Sequence, residues 1–375
     1  MNESDAHRGG RWSRFRVASS MPSRVLIDLR MVSGRLHGIA RYALELARVI
    51  PALAPDLAFE GLGPPGGLPE LGPLAPAFPV HPAPAGFLSP LEQPALVAVL
   101  RRLRPTLFHA TSFSVPLFWR GPLVATLHDA AHLARSQEFG TLTAVYYRLV
   151  VRPTVRRARA LLTVSEFARR ELAGRLGVPE SRWSVVPPGV DARFRPPSSE
   201  DRLAVRARYA LPPRYLLAVG NPKPHKNLAL LARIAARLPL PLVLLAGDGA
   251  ARIFPRPTRV LSEVDEEQLP ALYGGAEALL LPSLHEGFGL PALEAMATGT
   301  PVLAARAGSL PEVTGGAAEL LDPDAPEAWI AASSALVADP RLRARWASAG
   351  RARARAYTWE RCARQTLSVY RAAMG

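Results

Sequence analysis

One pattern constrains this chain more than any other: short apolar runs alternate with amphipathic helical stretches, and the rhythm starts twice. The first series opens with RVLIDL at Arg24 and a helical IARYALELARVI. It continues through LEQPALVAVLRRL, TLFHA, LVATLHD, a basic helical stretch around YYRLVVRPTVRRARA, LLTVS, EFARRELAGRLG and WSVVPPGV. The second restarts at YLLAVG and runs through LALLARIAARL, LVLLAG, RVLS, DEEQLPALYGGA, EALLLPS, LPALEAMATG, PVLAA and AELLD. Apolar strands between amphipathic helices argue for parallel sheets covered on both faces. At 375 residues, two domains are also what the length suggests. The expected fold class is α/β, with two Rossmann-like domains and parallel sheets facing a cleft. The expected boundaries are a disordered basic tail over 1–21, a first domain over 22–192, a linker over 193–207, a second domain over 208–352 and a helical tail over 353–375. Ten prolines and six glycines fall between Pro55 and Pro90, so that segment should be largely irregular, with room for one short strand.

Composition narrows the function classes. Apolar residues at 49% and charged residues at 21% suit a chain that buries a sizeable core. The single cysteine, Cys362, excludes an internal disulfide framework and suits a reducing compartment. No apolar run is long enough to span a membrane, and the first twenty residues carry no apolar signal segment, so a cytoplasmic protein is expected. The net charge is +15, from 44 arginines and 2 lysines. The arginines are spread over both halves, so no nucleic-acid partner is expected. A peripheral contact with anionic membrane, at the inner membrane face, fits this charge, with Arg152, Arg156, Arg157 and Arg159 as its candidates. Both lysines, Lys223 and Lys226, stand in one loop. A compact ammonium differs from guanidinium in hydration and geometry, which makes that loop a candidate anion site.

In open parallel sheets ligands sit beyond the carboxyl ends of the strands, which singles out four loops. In LLLPSLHEGFGLPALEAMATGTPV the strand delivers Glu286, Gly287 and Gly289 permit close backbone approach, and N–H groups around Phe288–Leu290 leave a helix N-terminus. Glu294 lies about one turn further on, so two carboxylates can converge on one ligand. Alternatively, Glu294 complements the helix dipole and Glu286 is solvated. In VGNPKPHKNL, the loop of Asn221, His225 and Lys226 places cations where a helix begins, suited to a diphosphate. VSGRLHGIARY brings Gly34 and Gly38 to a turn against phosphate or acceptor, or to a plain tight turn. VATLHD puts His128 and Asp129 at a strand end, where His128 can meet a substrate hydroxyl and Asp129 can cap the next helix. His37, His109 and His132 lack metal-ligand spacing with any carboxylate pair, so no metal is expected.

These strings resemble the retaining glycosyltransferases of family 4, whose two Rossmann-like domains form the GT-B fold, over nearly the whole chain from Arg24. The resemblance rests on HEGFGLPALEAMATGTPV followed by GSLPEV, on TVSEFARREL…GVPESRWSVVPPGVD, and on LLAVGNPKPHKNL. RVLIDLRMVSGRLHGIARY and TLHD are similar to mannosyltransferase-like members. It implies transfer of a hexose, mannose first, from a nucleotide-diphosphate sugar to a glycan or lipid-linked acceptor, with retained configuration and no metal or other cofactor. Under it Glu286, His128 and Lys226 are catalytic: Glu286 near the anomeric carbon, Lys226 at the departing diphosphate, His128 reaching in from the first domain. Donor binding falls to Glu294 at the ribose, to Gly287, Phe288, Gly289 and Leu290 through their backbone, and to His225, Asn221 and Gly38. It also implies that the C-terminal helix returns to the first domain. His225 stands where many members carry arginine, Ala40 stands for a glycine, and the segment between Gly249 and Arg259 is short. A donor-binding protein with weakened turnover and a sugar-nucleotide isomerase are the alternatives.

Overall fold

The computed structural model describes residues 22–32, 38–64, 68, 78–86, 89, 91–134, 141–247, 249–250, 254 and 258–375. The basic tail, Gly34, His37 and most of 251–257 lie outside the described residues.

Thirteen strands among these residues form two sheets, and every strand pair is parallel. The first sheet contains β1 Arg24–Asp28, β2 Ala58–Gly63, β3 Val80–Pro82, β4 Leu107–Ala110, β5 Leu123–Thr126, β6 Ala160–Thr163 and β7 Trp183–Val185. Their order is β3-β2-β1-β4-β5-β6-β7. The second contains β8 Leu216–Val219, β9 Leu242–Leu245, β10 Arg259–Leu261, β11 Ala278–Leu281, β12 Val302–Ala305 and β13 Glu319–Leu321, ordered β10-β9-β8-β11-β12-β13. Strands β4, β5, β11 and β12 are buried at every position, as sheets covered on both faces require. In each sheet the order reverses beside the first strand, between β1 and β4 and between β8 and β11. Such a switch point opens a crevice beyond the strand ends.

The proline- and glycine-rich segment departs from its reading: it supplies two strands, β2 and β3, at one sheet edge. Gly61 and Gly63 within β2 pair with Val80 and Pro82. An edge strand tolerates proline, because its outward N–H groups need no ladder partner.

The helices that position the site are α1 Gly38–Leu53, α2 Glu92–Leu103, α3 Glu166–Leu176, α4 Ser199–Arg208, α5 Leu269–Gly274, α6 Leu290–Thr298, α7 Pro340–Ala354 and α8 Trp359–Met374. Local chemistry starts and stops α3: Ser165 accepts from Ala168 N at 3.0 Å, and Gly177 ends the helix at φ 60°. Helix α4 lies in the segment read as linker. A Ser198–Asp201 capping box opens it, its buried Val205 joins the core, and it packs on α5. Helix α8 carries Trp359, Cys362, Ala363, Leu367 and Tyr370 on one buried stripe against α1, β4 and β5. The chain passes between the two units at adjacent points, where Val190 N donates to Tyr357 O at 3.0 Å.

Candidate active site

Because β8 and β11 are neighbours, the loops that follow them meet although they are far apart in sequence. After β8 the chain makes a turn in which Lys223 N donates to Asn221 O at 2.8 Å, then one 3-10 turn over Pro224–Lys226. Leu284 N donates to His225 O at 2.8 Å and ties this turn to the loop after β11. Lys226 Nζ thereby reaches Glu286 Oε1 at 2.7 Å, with side chains 18% and 10% exposed. Burial pushes the Glu286 carboxyl up, but the Lys226 ammonium, helped by Ser283 and His225, brings the group below the usual glutamate range. The pair stands where the loops after β8 and β11 meet.

Ser309 fixes the 284–289 loop from behind, with Oγ within 2.9 Å of Glu286 O and 2.6 Å of Phe288 O. Gly289, at φ 103°, turns the chain into α6, where no side chain caps the helix. The buried Phe288 ring meets Tyr357 edge-on at 5.7 Å, so a backbone role toward ligand leaves that ring in the core. Gly287 presses on the first unit: a Cβ there would collide with the His128 carbonyl and the Asp129 side chain. Gly38 opens α1, with the Leu290 side chain 3.9 Å from where its Cβ would stand.

His128 Nε2 lies 3.0 Å from the Thr111 carbonyl, and its ring meets Tyr42 edge-on at 4.8 Å. It lines a cavity of about 140 Å³ with Phe113, Asp129 and Tyr147 of the first unit and Lys223 and His225 of the second. Larger cavities, about 750 and 570 Å³, lie near the connecting segments rather than at the strand ends. Asp129 Oδ1 also accepts from Ala131 N at 3.0 Å, the capping role open from sequence.

Glu294 has its own partners. Tyr273 donates its hydroxyl to Oε2 at 2.8 Å, and Arg41, reaching across from α1, stands 3.6 Å from Oε1. Arg41 also holds both oxygens of Glu266 at 2.7 Å. Burial raises Glu294 above the usual glutamate range, and Arg41 and Tyr273 only partly counter it. The two glutamates are thus in opposite electrostatic states: Glu286 is held ionised, and Glu294, on α6, takes up a proton more readily. Asn221 is exposed, and its carbonyl shapes the turn.

Sequence reasoning missed Arg41, Tyr273 and Ser309, although GIARY and GSLPEV contain the first and last. The basic stretch has partners that its sequence does not name. Arg152 and Arg156 donate to Leu176 O and Gly177 O, at the carboxyl end of α3, at 3.1 and 3.2 Å. Arg157 donates to the Pro116 and Leu117 carbonyls, and Arg159 to Ala373 O at 2.8 Å. All four guanidinium groups bind backbone carbonyls of neighbouring segments, and Arg152, Arg156 and Arg159 remain exposed.

Residues 36–194 match the family described as Glycosyltransferase Family 4, and residues 202–353 match Glycosyl transferases group 1. The O-antigen chain mannosyltransferase B of Escherichia coli is 29% identical over 309 residues, covering 75% of this chain and 81% of its own. The MMP alpha-(1->4)-mannosyltransferase of Mycolicibacterium hassiacum is 33% identical over 280 residues, covering 68% of this chain and 66% of its own. Among solved structures, the HepE protein of Anabaena in complex with UDP-glucose superposes with a TM-score of 0.73 at 20% identity, over 92% of this chain and 99% of that one. That likeness is one of fold.

Proposed function

The chain belongs to the family 4, group 1 glycosyltransferases and is a nucleotide-sugar-dependent glycosyltransferase; on that premise, we propose that it moves a hexose, mannose first, with retained configuration. The observation that carries the reading is the Lys226–Glu286 pair at the second switch point, beside the uncapped N-terminus of α6. In this reading Glu286 orients the donor sugar and Lys226 stabilises the leaving diphosphate together with helix N–H groups, without a metal. His128 faces the sugar from the first unit, and Glu294 accepts from the ribose hydroxyls. The test offers GDP-mannose and UDP-glucose to the full chain and follows melting temperature and release of nucleoside diphosphate. GDP-mannose should raise the melting temperature and be turned over. Stabilisation by UDP-glucose alone would replace mannose with glucose, and stabilisation without turnover would favour a donor-binding protein.

A lipid-linked acceptor suits one further observation. Among the described residues six large apolar side chains stand exposed, and five belong to one region: Leu91, Phe118, Leu142, Val145 and Leu149. Gln93 joins its parts, donating to Val115 O at 3.1 Å and accepting from Leu117 N at 2.9 Å, with Tyr146 Oη 3.4 Å away. Tyr147, on the same helical stretch as Leu142, Val145 and Leu149, lines the cleft cavity. Residues 91–165 contain ten arginines against three acidic residues, so the region matches an anionic lipid surface. No helix of the described residues is long and apolar enough to cross a membrane. Replacing Leu142, Val145 and Leu149 together by serine should abolish co-sedimentation with phosphatidylglycerol vesicles while turnover of soluble donor persists. Unchanged sedimentation of this variant removes the membrane contact.

A further inference from the structure

The residue before Glu286 carries a contact that the transfer reading leaves unused. His285 Nε2 stands 2.9 Å from Glu171 Oε2 on α3, so the loop after β11 is joined to a helix of the first unit. The two side chains are 8% and 12% exposed. Phe167, one turn earlier on α3, meets the imidazole edge-on at 5.4 Å. Two further bonds cross the same seam. Ser165 Oγ donates to Gly287 O at 2.6 Å. The Glu312 carboxylate, from the short helix Leu310–Thr314, accepts from Glu166 N at 2.8 Å and Phe167 N at 3.0 Å. The N-terminus of α3 is therefore capped twice, by its own Ser165 and by Glu312 from across the cleft.

We propose that Glu171 and His285 form a cross-cleft positioning pair that holds the 284–289 loop, and Glu286 with it, in place for sugar transfer, so that turnover depends on a protonated imidazole. The proposal rests on Glu286 acting at the donor sugar.

Charge arithmetic at the seam gives the reason. The imidazole faces Glu171 from α3, Asp129 from the loop after β5, and Glu286 beside it on its own loop. The seam sets Glu286 of the second unit near Asp129 and Glu171 of the first, and a cation among these carboxylates removes their repulsion. The other groups at Glu171 are Arg175, 3.5 Å from Oε1, and Ala130 N, 3.4 Å from Oε2. Burial pushes His285 down, but Glu171 and the other two carboxylates raise it above the ordinary histidine range. Burial pushes Glu171 up, but His285 and Arg175 bring it below the ordinary glutamate range. The imidazolium contribution is complete below the ordinary histidine range and is lost as pH rises through the raised value. The carboxylate contribution is complete above the ordinary glutamate range and is lost as pH falls through the lowered value. The clasp is fully charged between those two limits.

The experiment uses the full chain with GDP-mannose. It follows nucleotide release from mildly acid to alkaline pH, and the His285 Cε1 proton resonance over the same range. The parent should lose turnover on an alkaline limb that coincides with the His285 titration. Glu171→Gln keeps a hydrogen-bonding side chain of the same shape without the charge. It should move the limb and the titration together to lower pH and reduce kcat just above neutrality roughly fivefold. Its donor KM should stay within about twofold, because Lys226 and Glu294 belong to the second unit. A parent His285 that titrates at or below the ordinary range overturns the proposal without any variant. So does a Glu171→Gln profile that overlays the parent while Glu286→Gln is inactive. Parent-like turnover by Glu286→Gln would instead remove the assignment of Glu286 on which the proposal rests.

Discussion

The two units share one strand order, apart from the extra edge strand β7 of the first, and finish their switch points in opposite ways. In the first, Arg30 lies just beyond β1 and donates to Asp28 Oδ1 at 2.8 Å, Asp28 Oδ2 at 2.7 Å and Glu92 Oε1 at 2.8 Å. Ser114 Oγ adds a bond of 2.6 Å to the same Glu92 oxygen, and the three charged side chains are 2% exposed. That guanidinium is enclosed by its own fold. In the second, the Lys226 ammonium gives one of its three donors to Glu286 and remains 18% exposed at the crevice. Arginine's planar fork suits a fixed multi-point clamp, and a lysine point charge suits a partner that comes and goes. The same topological position holds an enclosed guanidinium in one unit and a partly exposed ammonium in the other.

Arg30→Ala probes the rigid side and should have the largest effect, because it strands two buried carboxylates. Denaturant unfolding of the first unit should show a loss of about 3–5 kcal/mol. A loss below about 1 kcal/mol would show that the cluster does not hold that crevice together. Lys226→Ala addresses the exchangeable side: turnover of donor should fall by about two to three orders of magnitude, with a smaller change in stability than Arg30→Ala. If the two variants swap these signatures, the contrast between the crevices is wrong. Glu294→Gln should be mildest, weakening donor affinity roughly tenfold by calorimetry, the cost of one charge-assisted hydrogen bond. Since burial raises Glu294, the parent's affinity should begin to fall, on acidification, above the ordinary glutamate range, and the variant should lack that dependence.

The Glu286 and Glu294 strings were legible because their signals are local. A strand, two glycines, a proline in the first helical turn and Gly299 past the helix end all fall within one short window, as does the Lys223–Lys226 cluster. The partners were not legible. Arg41 meets Glu266, and His285 meets Glu171, at separations of 225 and 114 residues. Nothing in the spacing of one segment encodes which distant segment will lie beside it.

By itself, then, the sequence determined two parallel α/β sheets and the strand-end loops proposed to bear the chemistry, because burial on both faces and helix periodicity are written residue by residue. Tertiary structure decided which loops meet. Pairing of β8 with β11 set Lys226 against Glu286, and packing across the cleft set Arg41 against Glu294 and Glu171 against His285. It also decided what the arginines do. A guanidinium in a sequence is only a charge, whereas Arg157 and Arg159 in the fold stand beside carbonyls of chain segments that only folding brings near. The physical reason is the same throughout: the energy of a charge depends on the partners and solvent around it, and long-range packing sets both.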